Sequence, residues 1–224
     1  IVRFHPVLNN SENVKGLYDV CKLGKTITLI LSSKEEIWKN LNTNKKRWIK
    51  KTSESGVEVY WGRSRELFSE FRSMYNETMK KNNAKDYYYF TEEFYRSVFN
   101  DMENHSLIFY ALYEGKTIGM VLVIYENGQI HHHLSASDMD FQHLAPTNVL
   151  MYEIARWGNE NGFNTFHQGG GVGSREDKLY EFKKGFNKNS DTTFSIGKKI
   201  FNEETYNYLM EIRKRTNNFD ESTS

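Results

Sequence analysis

The chain has 224 residues, 38% of them hydrophobic, which is enough for one large domain or two small ones. Its net charge of +1 excludes a chain that binds nucleic acid through overall charge and leaves only local patches for that task. A single cysteine, Cys21, excludes an intrachain disulfide framework and fits a reducing compartment, and no run of ~18 apolar residues marks a transmembrane helix.

In chain order, Thr26 to Leu31 reads TITLIL, a β-branched run that predicts a strand. Ser33 with Glu36 forms a capping box, and Trp38, Leu41 and Trp48 recur at helical spacing, so one helix is expected up to the stop at Gly56. Val57 to Trp61 returns to strand character. Arg65 to Lys81 carries Leu67, Phe71, Met74, Tyr75 and Thr78 on one helical face, and Thr91 opens a helix to Met102. From Leu107, LIFYALYEGKTIGMVLVIYENGQIHHHLSA predicts a three-stranded meander, turned at EGK and at Asn127-Gly128. Pro146 suits the first turn of the next helix, which Asn161-Gly162 ends. A strand over Phe163–His167, a helix over Ser174–Gly185, a strand over Thr192–Ile196 and a helix over Glu203–Lys214 complete a mixed α/β order. The tail NNFDESTS is polar and is expected to fray.

The most informative stretch is HQGGGVGSREDKLYEFKKGF, His167 to Phe186. Three consecutive glycines, Gly169, Gly170 and Gly171, predict a backbone that bends sharply or approaches something closely. Backbone N–H groups in such a loop can form an anion-binding nest before a helix. Lys183 and Lys184 follow among aromatics, so the stretch suggests a site for an anion or a developing oxyanion; the alternative is a connecting turn and a helix with solvated lysines.

Other residues qualify as candidates. On a strand, His131 and His133 share a face and His132 takes the other. No carboxylate or third ligand stands at a useful spacing for a metal, so a proton shuttle or a substrate hydrogen bond is the functional reading. Lys45, Lys46, Arg47, Lys50 and Lys51 form a basic helical cluster around Trp48. Arg47 with Lys51, four apart, share a face and repel, which points to an anionic partner or simply to a solvated face. The run Tyr87-Tyr88-Tyr89-Phe90 reads as a groove lining or as core. Asp177 and Glu176 are the acids nearest the lysine pair, fit for a general base or for favourable placement at a helix start.

The stretch from His167 to Phe186 resembles the C-terminal signature of the Fem-type aminoacyltransferases, within the GNAT-like acyltransferase superfamily. VRFHPVL, RWIKKTSESGVEV, MYNETMKKNNA, HHHLSAS and LAPTNVLMYEIARWGNENGF are similar too, so the resemblance spans nearly the whole chain. It implies a GNAT-like mixed sheet flanked by helices over 57–216. Residues 1–56 would then be a remnant, or a linking strand and helix, of a preceding GNAT-like domain, and 217–224 a tail. The chain begins with Ile1, and a longer protein is expected.

The resemblance implies transfer of an amino acid from aminoacyl-tRNA to an amine of a UDP- or lipid-linked muropeptide. That chemistry belongs in the cytoplasm, at the inner membrane face for a lipid-linked acceptor, and needs no further cofactor. By position, Lys183 would stabilise the charge of the tetrahedral state and Phe182 would place it, with Lys184 adjoining and its direction open. Asp177 would be a base for the incoming amine. Gly169 to Gly171, His131, His133, Lys184, Arg47, Lys50 and Lys51 would bind substrate. Acetyltransferases of the superfamily hold acyl-CoA pyrophosphate in a Q/R-x-x-G-x-G/A loop. Here the segment is Gln142-His143-Leu144-Ala145-Pro146-Thr147-Asn148, in which Ala145 replaces a glycine and Pro146 lacks a donor N–H. An acyl-CoA-dependent N-acyltransferase of nucleotide sugars or cell-surface polysaccharide, and a non-catalytic binding module, are the alternatives.

Overall fold

Two glycine turns close the meander that the sequence predicts. Strand β5 (Ser106–Tyr113) leads through Glu114-Gly115 to β6 (Lys116–Glu126), and Asn127-Gly128 leads to β7 (Gln129–Ser137), with both residues of each turn at positive φ. In this computed structural model residues 1–190 and 192–215 are described, so the expected tail lies outside them.

The meander sits in a six-stranded sheet of order β3-β8-β7-β6-β5-β4. Its other strands are β3 (Ile27–Ile30), β4 (Glu58–Gly62) and β8 (Thr165–Gly169). All neighbours are antiparallel except β7 and β8. Along β6, Met120 and Leu122 enter one core and Val121 and Val123 the other, all fully buried, so helices must cover both faces. One face packs α1 (Lys34–Asn40), α2 (Thr43–Glu54) and α5 (Pro146–Glu160), through Ile37, Ile49, Leu150 and Ile154. The other packs α3 (Arg65–Lys81) and α4 (Glu92–Asp101), through Phe68, Phe71, Tyr75, Tyr95 and Val98.

The chain divides into two compact units. Gly24–Thr193 holds the six-stranded sheet and these helices. Residues 24–56, read from the sequence as a remnant or a linking strand and helix of a preceding domain, lie in this unit, where β3 pairs with β8 and Thr28 stands opposite His167. The second unit combines Ile1–Leu23 with the chain from Phe194. It holds a three-stranded sheet of order β1-β9-β2, built from Val2–Phe4, Thr193–Lys198 and Asp19–Lys25, and α7 (Glu203–Lys214).

The helix expected to run to Gly56 is two helices. Leu41 is extended, and the Asn42 side chain caps α2 by accepting from the Lys45 N–H at 2.8 Å, while the Asn42 N–H donates to the Gly185 carbonyl at 2.9 Å. The helix expected from Ser174 begins later, as α6 (Lys178–Lys184), because Asp177 is its N-cap.

Candidate functional site

The triglycine run leaves β8 where two strands part. Parallel pairing of β7 with β8 ends at His131 opposite His167, although β7 continues to Ser137 and β8 to Gly169. The loop then folds tightly on itself. A Cβ on Gly171 would lie 2.1 Å from the Arg175 carbonyl oxygen and 2.3 Å from Asp177 Oδ1, so no side chain fits there.

Asp177 holds this loop to the helix. Its Oδ2 accepts from the Val172 N–H at 3.0 Å and its Oδ1 from the Tyr180 N–H at 2.9 Å. These backbone N–H groups keep its carboxyl below the usual range and make it a weak base. The sequence reading of Asp177 as a base gives way to a capping role on this geometry. Asp177→Asn, which preserves a cap, is expected to keep transfer activity within about twofold, whereas Asp177→Ala is expected to cost about 1 kcal/mol in urea unfolding. Loss of activity in the Asn variant with unchanged stability would restore the base.

Helix α6 turns its two lysines apart. Lys183 is buried, and its Nζ donates to the Gly170 carbonyl at 2.8 Å. Burial lowers its pKa to about 8, against the opposing pull of Asp177. Lys184 points outward, 4.0 Å from Glu181 and over the Tyr180 ring. The open choice between the two lysines is thereby decided as a matter of geometry: Lys183 reaches the loop.

Two polar side chains stand just beyond the last β7–β8 pair. Gln168 is 1% exposed, and neither atom of its amide finds a hydrogen-bond partner among the described residues. The same holds for both ring nitrogens of His132. Burial, and then the charge of Lys183, keeps His132 neutral. Lys183, His132 and Gln168 therefore bring a cation, a neutral imidazole and an unpaired amide to the parting of the strands. Each unmet group costs on the order of 1–3 kcal/mol, which a bound polar ligand would offset.

His131 and His133 lie on the other side. A register shift between Leu122 and Val123 pairs Val123 with His132 and Leu122 with Leu134. His131 Nδ1 lies 3.0 Å from His167 Nδ1, and His133 packs 5.9 Å from the Phe94 ring. His131 and His133, the same-face candidates, are thus turned away from the lysine, whereas His132 feels the Lys183 charge.

Lys45, one of the basic cluster in the sequence, is set apart from its neighbours by burial. It is buried in α2 with its Nζ 3.2 Å from the Phe182 ring centroid and 4.2 Å from that of Phe186, and it donates to Asn148 Oδ1 at 2.7 Å. Burial lowers its pKa to about 7. A Cβ on Gly185 would lie 2.8 Å from Lys45 Cε, so that glycine is what lets the lysine pass. The signal was its phase: Lys45, Ile49 and Thr52 form the buried stripe of α2. Arg47, Lys50 and Lys51 are exposed and lie over the rings of Trp48 and Trp38.

The family model described as "Acetyltransferase (GNAT) domain" matches residues 39–184, about two thirds of the chain and a span that includes Lys183. The chain belongs to the GNAT acetyltransferase-domain family. Among solved structures, FemX is similar over 90% of this GNAT chain and 70% of its own, at 12% identity and a TM-score of 0.68. The C-terminal domain of a proposed lysylphosphatidylglycerol synthetase from Agrobacterium fabrum is similar over 94% and 70%, at 14% identity and a TM-score of 0.66. L-PGS from Bacillus licheniformis is similar over 92% and 70%, at 16% identity and a TM-score of 0.58. At these identities the likeness is one of fold. No curated protein matches the sequence.

The turn before α5 has a strained backbone. Ala145 is left-handed, at φ 49° and ψ 48°, and Pro146 is the first residue of α5. A Cβ in that conformation costs about 1 kcal/mol. Ala145→Gly is expected to raise unfolding stability by about that amount in urea; an unchanged or lowered midpoint would contradict the strain. Among the described residues no helix is long and apolar enough to cross a membrane.

Proposed function

We propose that this GNAT-family transferase moves an aminoacyl group from aminoacyl-tRNA to an amine of a peptidoglycan precursor, UDP- or lipid-linked, as the Fem-type resemblance implies. The observation that carries the reading is Lys183, a buried cation at the Gly170 carbonyl, where β7 and β8 part. The acceptor amine attacks the ester carbonyl, a C–N bond forms and the carbonyl oxygen becomes an oxyanion. The remaining N–H groups of Lys183 donate to that oxygen. A donor fixed in a dry site contributes about 3 kcal/mol to such a state. Collapse breaks the C–O bond to the ribose, whose oxygen takes the proton that the amine gives up. His132, held neutral by burial, offers unpaired ring nitrogens as hydrogen-bond partners to the substrate in this scheme. Phe182 sits on the helix beside Lys183 with its ring against Lys45.

The fold shared with FemX supports this reading, and the acyl-CoA alternative has less support because Ala145 and Pro146 offer a strained turn and one N–H fewer to a pyrophosphate. A charged-tRNA donor places the reaction in the cytoplasm, at the inner membrane face when the acceptor is lipid-linked. The test is thermal protection by an amide-linked aminoacyl-adenosine analogue, which cannot be hydrolysed, beside CoA. Protection by the analogue that Gln168→Ala abolishes is expected. Protection by CoA alone would replace this reading with acyl-CoA chemistry.

A further inference from the structure

Helices α3 and α4 face each other across a cleft of about 230 Å³, on the opposite sheet face from α6 and independent of the reaction proposed above. Arg65, Ser69 and Arg72 line one wall at helical spacing, and Glu92, Arg96 and Phe99 line the other. Three guanidiniums thus share the lining with one carboxylate. Arg72 holds Glu92 at 2.9 Å and Arg96 lies 3.8 Å from Glu93, but both carboxylates are largely exposed, with side chains 76% and 81% accessible. Such pairs are worth little and are readily exchanged for a better anion. The Arg65 guanidinium stacks 5.3 Å from the Phe99 ring centroid, which limits its orientation. Arg63, nearby, is already committed to the carbonyls of Val98 and Phe99.

The second observation is Tyr95, a lining residue only 4% exposed, whose hydroxyl has no hydrogen-bond partner among the described residues. Burial keeps that hydroxyl protonated, so it is a donor without an acceptor beside the cleft, its oxygen closed to solvent in this structure. Forked guanidiniums and a buried O–H around a small cleft suit one group above others: tetrahedral, anionic and rich in acceptor oxygens.

We infer that the α3–α4 cleft binds a phosphate group, either the free ion or the phosphate of an ester, between Arg65, Arg72 and Arg96 with Tyr95 as a donor.

The test is titration of the whole chain with inorganic phosphate, followed by NMR of the arginine Nε–H groups and repeated for Arg72→Gln and Tyr95→Phe. Saturable shifts at Arg65, Arg72 and Arg96 are expected, with affinity about tenfold lower in Arg72→Gln. Tyr95→Phe is expected to weaken binding about threefold or more while leaving the unliganded melting temperature unchanged or raised, since it removes an unmet hydroxyl. Parallel titrations with AMP and with phosphatidylglycerol vesicles identify the source. Tighter binding of either, weakened by the same variants, assigns the site to a nucleotide phosphate or to a lipid headgroup. Absence of saturable shifts, or binding that both variants leave unchanged, would overturn the proposal.

Discussion

Lys183→Met is expected to lower kcat for aminoacyl transfer by about 10²–10³-fold, the usual loss when one fixed donor to an oxyanion is removed. The buried lysine donates to the Gly170 carbonyl from α6, and methionine fills the same space without the charge. The melting temperature should change little, because removing a desolvated ammonium offsets the lost hydrogen bond. Lys184→Met, on the outward side of the same helix, is expected to stay within about twofold. The pH dependence follows from the same burial. Only the ammonium form donates usefully, and the Lys183 pKa lies at about 8, so wild-type kcat should fall as pH rises through that value. The Met variant should lack that limb. Equal rates for wild type and Lys183→Met would remove the lysine from the reaction.

The second large effect is on stability and belongs to Lys45. Its folded-state pKa is lowered by burial to about 7, from the 10.5 of an exposed lysine. Between those values the unfolded chain binds a proton that the folded chain does not, so stability rises with pH across this window. Below about pH 7 both states are charged, and above about 10.5 both are neutral, and the dependence vanishes at each end. The slope reaches roughly 1.4 kcal/mol per pH unit from this residue alone, with Lys183 adding its own above about 8. Lys45→Met is expected to remove the Lys45 part, so wild type should gain a few kcal/mol relative to the variant between pH 7 and 10. Urea unfolding at a series of pH values measures it. Parallel curves for the two proteins would mean that Lys45 is not held in the dry cage of Phe182, Phe186 and Asn148.

What could be read in advance was set by local chemistry. Thr91 and Ser33 cap the helices that they were expected to cap, accepting from Phe94 and Glu36. Asn127-Gly128 turns the meander. Arg65–Lys81 and Glu203–Lys214 are helices over the expected residues. The break at Leu41 was hidden because Leu41 keeps the helical apolar spacing, and the Gly185 carbonyl that fixes Asn42 comes from far along the chain. Strands β1 and β2 carried no alternation, as VRF is too short and DVCKLGK too polar to announce a strand.

The site divides in the same way. A triglycine followed by a lysine pair could be read as a close-packed loop before a helix, and Gly171 has no room for a side chain. That Lys183 and not Lys184 turns inward depends on where Asp177 starts α6. Lys45 was concealed by its basic neighbours although it shares a stripe with Ile49 and Thr52. His132 and Gln168 were out of reach because the parting of β7 from β8 is a tertiary event, and strand alternation says which residues share a face but not what meets that face.

The most direct test is product mass. Wild type and Lys183→Met would each be given a UDP-linked muropeptide with a mixture of charged tRNAs and, separately, acetyl-CoA. If Lys183 stabilises the oxyanion of aminoacyl transfer, a muropeptide heavier by one amino acid is expected, formed from charged tRNA by wild type and reduced about 10²–10³-fold in the variant. A gain of one acetyl group instead, or an amino acid added equally well by Lys183→Met, would contradict it.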